Sequence, residues 1–374
     1  MQKVCHFSSA HPSDDPRILY KECASLARAG YDVYFVTQGE DAIVNGVKVI
    51  GAGAFSGTGL MGKLKRMFGF SRKVFEKAVA LDCDIYHLHD PELLQYVKPL
   101  KRMGKKVIFD CHEDYANDLK TGTRKSIPKP LWSISSKVYS NFERRAVRDV
   151  DAVITVNEAL VEKFKNQGCN VALVTNFPLL KPLEDTCKRE ENSSFEIVFM
   201  GKQPLNYEQS AILRAIADMD DVIYRIYGAD CASLEDQLKG LPGFNRVRLM
   251  GRVPFDQSFK HLQNCNAGIG LPVSDAFRNT IGNTKIFEYM MAALPVIWSS
   301  SSTWDSVIVE GGCGITVDPL DEVAIKNAIE YLKDNSQVAE LMGKKGRLLI
   351  ERDFSWESQE LVLIDLYSNL TGCN

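Results

Sequence analysis

Asn283-Thr-Lys-Ile-Phe-Glu-Tyr-Met-Met-Ala-Ala-Leu-Pro-Val-Ile297 reads as a helix that runs straight into a buried strand. Ile286, Phe287, Met290, Met291 and Leu294 recur at helical spacing, and Pro295-Val-Ile297 begins the strand. Lys285 and Glu288 lie three residues apart, so a cation and an anion occupy neighbouring parts of one face near the helix start. A carboxylate there could accept two hydrogen bonds from a vicinal diol such as a ribose. The exposed N–H groups of the first turn could receive a phosphate. The stretch therefore suggests a nucleotide-sugar site.

Outward from it, short β-rich runs alternate with helical patterns. In the first half, strands are expected at 4–7, 33–37, 85–89, 107–110, 152–156 and 171–175, with helices at 18–29, 63–80, 91–103 and 131–150. A second series has strands at 196–200, 222–227, 246–250, 267–271, 296–298 and 314–317. Helices then follow at 322–333, 338–351 and 356–370. Such alternation predicts α/β architecture, with parallel sheets covered by helices on both faces. The polar stretch 179–194, which contains Pro182, is the expected linker. The divisions are 1–180, 195–353 and a final helix, 354–374, expected to pack back towards the first domain. In sheets of this kind ligands bind at the carboxyl ends of the strands.

The chain has 374 residues, enough for two cores, and its 45% hydrophobic and 25% charged content is that of a soluble globular protein. No apolar run reaches the length of a membrane span, and the opening residues pass directly into a strand without a signal-peptide pattern. Ten cysteines are dispersed with no Cys-x-x-Cys pair, which suits a reducing cytoplasm and indicates neither a zinc site nor a redox pair. Residues 1–180 hold 26 basic against 20 acidic residues, and the remainder 19 against 28. The basic first half is expected to meet something anionic.

Three glycine-containing strand ends mark the second half: Gly201-Lys202-Gln203, Tyr227-Gly228-Ala229-Asp230 and Gly251-Arg252-Val253-Pro254. One such glycine would merely make a turn. Three in one domain, followed by the Lys285/Glu288 helix, point to a phosphate-bearing ligand. Neither a dinucleotide fingerprint nor a Walker loop is present.

In the first half, polar residues leave three strands on one rim. They are Ser8-Ser-Ala-His-Pro-Ser-Asp-Asp-Pro-Arg17, His87-Leu-His-Asp-Pro-Glu92 and Asp110-Cys-His-Glu-Asp-Tyr115. His87 sits inside its strand and reads as a core residue. Asp110, His112 and Glu113 read as functional, because charge gathered at a carboxyl edge is costly unless used. Asp14, Asp15, Arg17 and Asp90 are expected on the acceptor side. No His-x-x-x-His or similar spacing supports a metal, and none is expected. Residues 60–75 and 120–148 mix basic with aromatic or apolar side chains, as surfaces for anionic lipid head groups and solvated helix faces both do. The overall acidity and the lack of any nucleic-acid motif argue against DNA or RNA.

These residues carry a family resemblance. The stretch 283–297 resembles the signature helix of family 4 glycosyltransferases of the GT-B fold, written Pro-x-Lys-x-x-Glu-Tyr-Met-Ala-x-Gly-x-Pro-Val-Ile. Residues 6–33, Asp84-Ile-Tyr-His-Leu-His-Asp-Pro-Glu-Leu93, Phe109-Asp-Cys-His-Glu113 and Phe354-Ser-Trp-Glu357 are similar to bacterial exopolysaccharide or capsule members. The resemblance covers nearly the whole chain. It implies two Rossmann-like doubly wound domains facing a cleft, the first binding the acceptor and the second the donor. It implies a retaining, metal-independent transfer from a nucleotide sugar, UDP- or GDP-linked, without a cofactor, to a lipid-linked or oligosaccharide acceptor. Glu288 matches the glutamate that binds ribose. Gly201, Lys202, Arg252, Thr280, Asn283, Thr284 and Lys285 fall on the donor side, and His112 lies where a histidine approaches the transferred sugar. The chain departs from the pattern in having Thr280 where an earlier glutamate is usual, Asn283 in place of the proline, and Leu294 at the expected glycine. His11-Pro-Ser-Asp-Asp-Pro-Arg17 replaces the usual Gly-Gly loop. The expected setting is the cytoplasm, peripheral at the inner face of the cell membrane. The rival readings are a nucleotide-sugar 2-epimerase of the same fold and a non-catalytic glycosyltransferase-like partner.

Overall fold

The computed structural model describes residues 1–57, 59–121, 132–183, 194–201, 204–228, 230–274, 278 and 284–372. The chain forms two compact units, Met1–Asn176 with Glu357–Asn374, and Phe177–Trp356.

The first unit is built on eight strands: β1 (Lys3–Phe7), β2 (Asp32–Thr37), β3 (Ala42–Val44), β4 (Val47–Gly51), β5 (Ile85–Leu88), β6 (Lys106–Cys111), β7 (Ala152–Thr155) and β8 (Val171–Leu173). Their order is β3-β4-β2-β1-β5-β6-β7-β8, and every pairing is parallel except β3 with β4. The central strands are buried on both faces, as helix-covered parallel strands must be, so they read as unbroken apolar runs. Phe7, Tyr86, Leu88, Phe109 and Phe164 fill the core. The β3/β4 hairpin was not expected. It turns on Asn45 and Gly46, both at positive φ (50° and 80°), the conformation that an Asn-Gly pair adopts readily. The exposed β3 carries no core pattern to advertise it. The helix Trp356–Thr371 belongs, from Glu357 on, to this unit, where Gln359 accepts a hydrogen bond from Thr175 N at 2.8 Å.

The second unit has six strands, all parallel: β9 (Phe195–Met200), β10 (Val222–Tyr227), β11 (Val247–Gly251), β12 (Ala267–Gly270), β13 (Val296–Ser299) and β14 (Gly314–Val317). They run in the order β11-β10-β9-β12-β13-β14. Buried Tyr224, Tyr289, Trp298 and Trp304 dominate its core. The opening stretch forms the helix Thr284–Met291 and then β13, and Ser336–Asp353 packs against that helix. The packing depends on Gly343, where a Cβ would stand 2.0 Å from the Ala293 carbonyl oxygen. Gly343→Ala must therefore push the two helices apart. It is expected to cost about 1–3 kcal/mol of unfolding free energy, read by denaturant titration. The left-handed residue that ends the Thr284–Met291 segment is Ala293 (φ 56°), so the signature's glycine position is Ala293 and not Leu294, which is buried.

Candidate functional site

Parallel register and the two-residue strand period build the first unit's site. His6 pairs in register with His87, and His87 with Ile108. Two residues further along lie His89 and Asp110, and two beyond Asp110 lies His112. They converge beneath the carboxyl ends of β1, β5 and β6, around a polar cavity of about 170 Å³. His11, Arg66, His89, Asp90, Asp110, His112 and Glu113 are among its walls.

Asp110 is the hub. Arg17 grips it with a two-pronged contact, Nε to Oδ2 and Nη2 to Oδ1, both at 3.2 Å, while Nη1 donates to the Val174 carbonyl at 2.9 Å. Both side chains are buried. Burial alone would raise the Asp110 pKa, but Arg17 and the neighbouring imidazoles outweigh it and hold the carboxyl well below its usual value. His112 Nε2 lies 3.2 Å from Asp110 Oδ2. Burial drives the His112 pKa down to about 3 even against the pull of Asp110, so the ring is neutral near pH 7.

The remaining residues of this rim divide between support and surface. Asp15 caps the helix Pro16–Cys23 by accepting from Arg17 N and Ile18 N, and lies 2.9 Å from His11 Nδ1. Burial lowers His11, but Asp15, Asp90 and Asp110 together raise its pKa. Asp90 holds the loop after β1, accepting from Ser8 Oγ at 2.9 Å and Ser9 N at 2.5 Å. Asp14 is exposed, and neither it, Asp15 nor Arg17 lines the cavity. Two participants were not singled out from sequence: Glu92, which accepts from Ser9 Oγ at 2.9 Å, and Arg66, 3.1 Å from Glu92. Arg66 lay within a basic stretch whose composition gave no hint that it bends towards an acid.

Beside this cavity, and sharing Pro91, Glu92, Tyr115 and Tyr139 with it, is an apolar one of about 510 Å³. Leu64, Met67, Phe68, Leu119, Val138 and Phe142 line it, with Lys63 among them. Phe68 and Val138 are 63% and 64% exposed, far more than a core would leave them.

In the second unit the three glycine strand ends are stitched together. Gly201 N donates to Tyr227 O at 3.0 Å, and Gly228 N to Gly251 O at 2.6 Å. A Cβ on Gly228 would stand 2.9 Å from Gly201 backbone, and one on Gly201 would stand 2.2 Å from Lys285 Cε. Glycine thus lets Lys285 lie along the strand end, its Nζ 5.1 Å from the Tyr207 ring centre. Thr284 and Lys285 begin the helix, Glu288 sits half-buried on it, and Arg252 is exposed just after β11. Lys202, Thr280 and Asn283 lie outside the described residues. A cation, a carboxylate and bare backbone at the carboxyl edge of a doubly wound sheet can together hold a diphosphate and a diol.

Residues 17–177 match the model for Glycosyltransferase Family 4, and residues 179–335 match that for Glycosyl transferases group 1. The chain belongs to the family 4, group 1 glycosyltransferases. Among solved structures, sucrose-phosphate synthase from Thermosynechococcus elongatus is 16% identical, with TM-score 0.74 and 100% of each chain covered. HepE from Anabaena, in complex with UDP-glucose, is 14% identical, with TM-score 0.71 and 99% of this chain and 100% of that one covered. Trehalose-6-phosphate from E. coli, bound with UDP-2-fluoro glucose, is 13% identical, with TM-score 0.66 and 98% of this chain and 99% of that one covered. No curated protein sequence matches. The fold of this glycosyltransferase family member is GT-B. Among its described residues no helix is long and apolar enough to cross a membrane.

The buried imidazoles make the stability of this glycosyltransferase fold pH-dependent. Burial pushes His6, His87 and His89, like His112, below the ordinary imidazole pKa. Unfolded, they would take up protons near pH 6.5 while the folded protein would not. Their contribution is complete above about pH 6.5 and is lost as the pH falls below it, at up to ~1.4 kcal/mol per pH unit for each ring. Glu22, whose pKa burial and Asp110 raise, acts in the opposite sense and offsets part of this loss. Denaturant unfolding should show a loss of several kcal/mol between pH 7 and pH 5. Equal stability at the two values would contradict the assignment.

Proposed function

We propose that the protein is a retaining glycosyltransferase that takes a UDP-sugar on its second unit and delivers the sugar to a lipid-linked glycan acceptor bound by its first. The observation that carries the acceptor side is the apolar cavity adjoining the polar one: hydrocarbon fits the former, and sugar hydroxyls and phosphate fit His11, Arg66 and the carboxylates of the latter. The donor reading rests on Glu288 and Lys285 beside Gly201, and on the UDP-glucose held by the similarly folded HepE. In this reading His112, neutral at working pH, hydrogen-bonds the transferred sugar. Protein cations and the helix start stabilise the departing diphosphate without a metal. Lys63 and the basic stretches of this unit meet anionic head groups at the inner face of the membrane, where cell-surface polysaccharide or glycolipid is assembled.

The test is donor binding by calorimetry with UDP-glucose and a panel of UDP- and GDP-sugars. Glu288→Ala is expected to weaken the best donor roughly 10- to 100-fold, the worth of hydrogen bonds to a charged acceptor. Unchanged affinity would sink the donor assignment. Incubating UDP-N-acetylglucosamine with the enzyme alone and finding the epimer would replace transfer by 2-epimerisation.

A further inference from the structure

Below the polar cavity, three imidazoles and a carboxylate converge. His6, Glu22, His87 and His89 are all buried, and each offers a ligand atom within 4.8 Å of the others'. They come from β1, from the helix Pro16–Cys23 and from the β5 strand end. His87 and His89, two apart on an extended run, share a face with the register partner His6. The spacing argument against a metal does not reach such a group, because its members are far apart in sequence.

The ring nitrogens sort themselves into an outer and an inner set. On the outside, Tyr367 Oη lies 3.2 Å from His6 Nε2 and 2.8 Å from His87 Nδ1, and Asp110 Oδ2 lies 3.4 Å from His89 Nδ1. On the inside, His6 Nδ1 and His89 Nε2 are 2.9 Å apart, and Glu22 Oε2 is 3.8 Å and 3.9 Å from them. The nearest point equidistant from these three atoms, in their common plane, is about 2.1 Å from each, the length of a zinc bond to imidazole nitrogen or carboxylate oxygen. His87 Nε2, His89 Nδ1 and both carboxylate oxygens of Glu22 are buried without a hydrogen-bond partner. Glu22 Oε1 lies 2.9 Å from Arg17 Nε. Partners on the outer nitrogens of histidines, and on the far oxygen of a carboxylate, are what orient metal ligands.

We propose that His6, Glu22, His87 and His89 form a closed four-coordinate site for one divalent transition-metal ion of the zinc type. Its role is structural, and it does not rest on the glycosyl-transfer reading. His89 also lines the polar cavity.

The test uses the full chain, freed of metal with a chelator and titrated with Co²⁺ and then Zn²⁺. One equivalent per chain is expected, with visible Co²⁺ ligand-field bands of a four-coordinate nitrogen and oxygen site and a rise in Tm. Glu22→Gln and His87→Gln should each weaken binding at least 100-fold. Absence of stoichiometric binding would overturn the proposal. So would a thiolate charge-transfer band, which would assign the ion to buried cysteines such as Cys5 and Cys83, or unchanged affinity in both variants. Should the variants fail to fold, the stoichiometry and spectrum of the wild-type chain decide alone.

Discussion

Replacing Asp110 by alanine is expected to destabilise the protein by about 3–5 kcal/mol, because it takes from the buried Arg17 guanidinium its two-pronged partner and leaves it only Glu22 and the Val174 carbonyl. Arg17 is 4% exposed and Asp110 1%, so water cannot take the place of the lost carboxylate. The cost comes from breaking the pair, not from any large net contribution of the pair itself. Arg17→Met together with Asp110→Ala should therefore recover much of what Asp110→Ala loses. Urea titrations of the two single variants and the double variant measure this directly. If the double variant is as unstable as the sum of the singles, the two side chains do not act as one coupled pair.

The second large effect is expected in catalysis. His112 is held 3.2 Å from Asp110 at the wall of the polar cavity, and burial keeps its ring neutral. On the proposed reading it hydrogen-bonds the sugar as positive charge develops at the anomeric carbon. His112→Ala should then lower kcat about 10²- to 10³-fold, as loss of one placed hydrogen-bonding group does, while donor affinity changes less than about threefold. The wild-type kcat should show no His112 titration between pH 5 and pH 8, since its pKa lies near 3. A variant with normal kcat and weakened donor binding would remove His112 from the chemistry.

Much of the architecture was legible because parallel strands buried on both faces leave unbroken apolar runs, and the helices between them keep the 3.6-residue period. The β3/β4 hairpin escaped because β3 lies open to solvent, leaving only Asn45-Gly46 as a signal. The rim of polar residues after β1, β5 and β6 was also visible, because strand ends in a doubly wound sheet share one edge. What that rim does was not visible. Arg17 and Asp110 both read as site residues, yet they are 93 residues apart in sequence and spend their charges on each other. His87 read as core, and nothing in its neighbourhood announced His6 and Glu22 beside it. In the second unit, Gly201 and Lys285 were each singled out, but their direct apposition depends on a fold that no local pattern encodes.

The first unit is not finished where its sheet ends. Its last segment begins at Glu357, after the whole of the second unit has been laid down, and it carries Tyr367, whose hydroxyl meets both His6 and His87. A ribosome releases these residues in order. All eight strands of the first sheet and every residue of the second unit therefore precede the tyrosine that meets these histidines. The residue that seals the first unit is made only after the whole of the second.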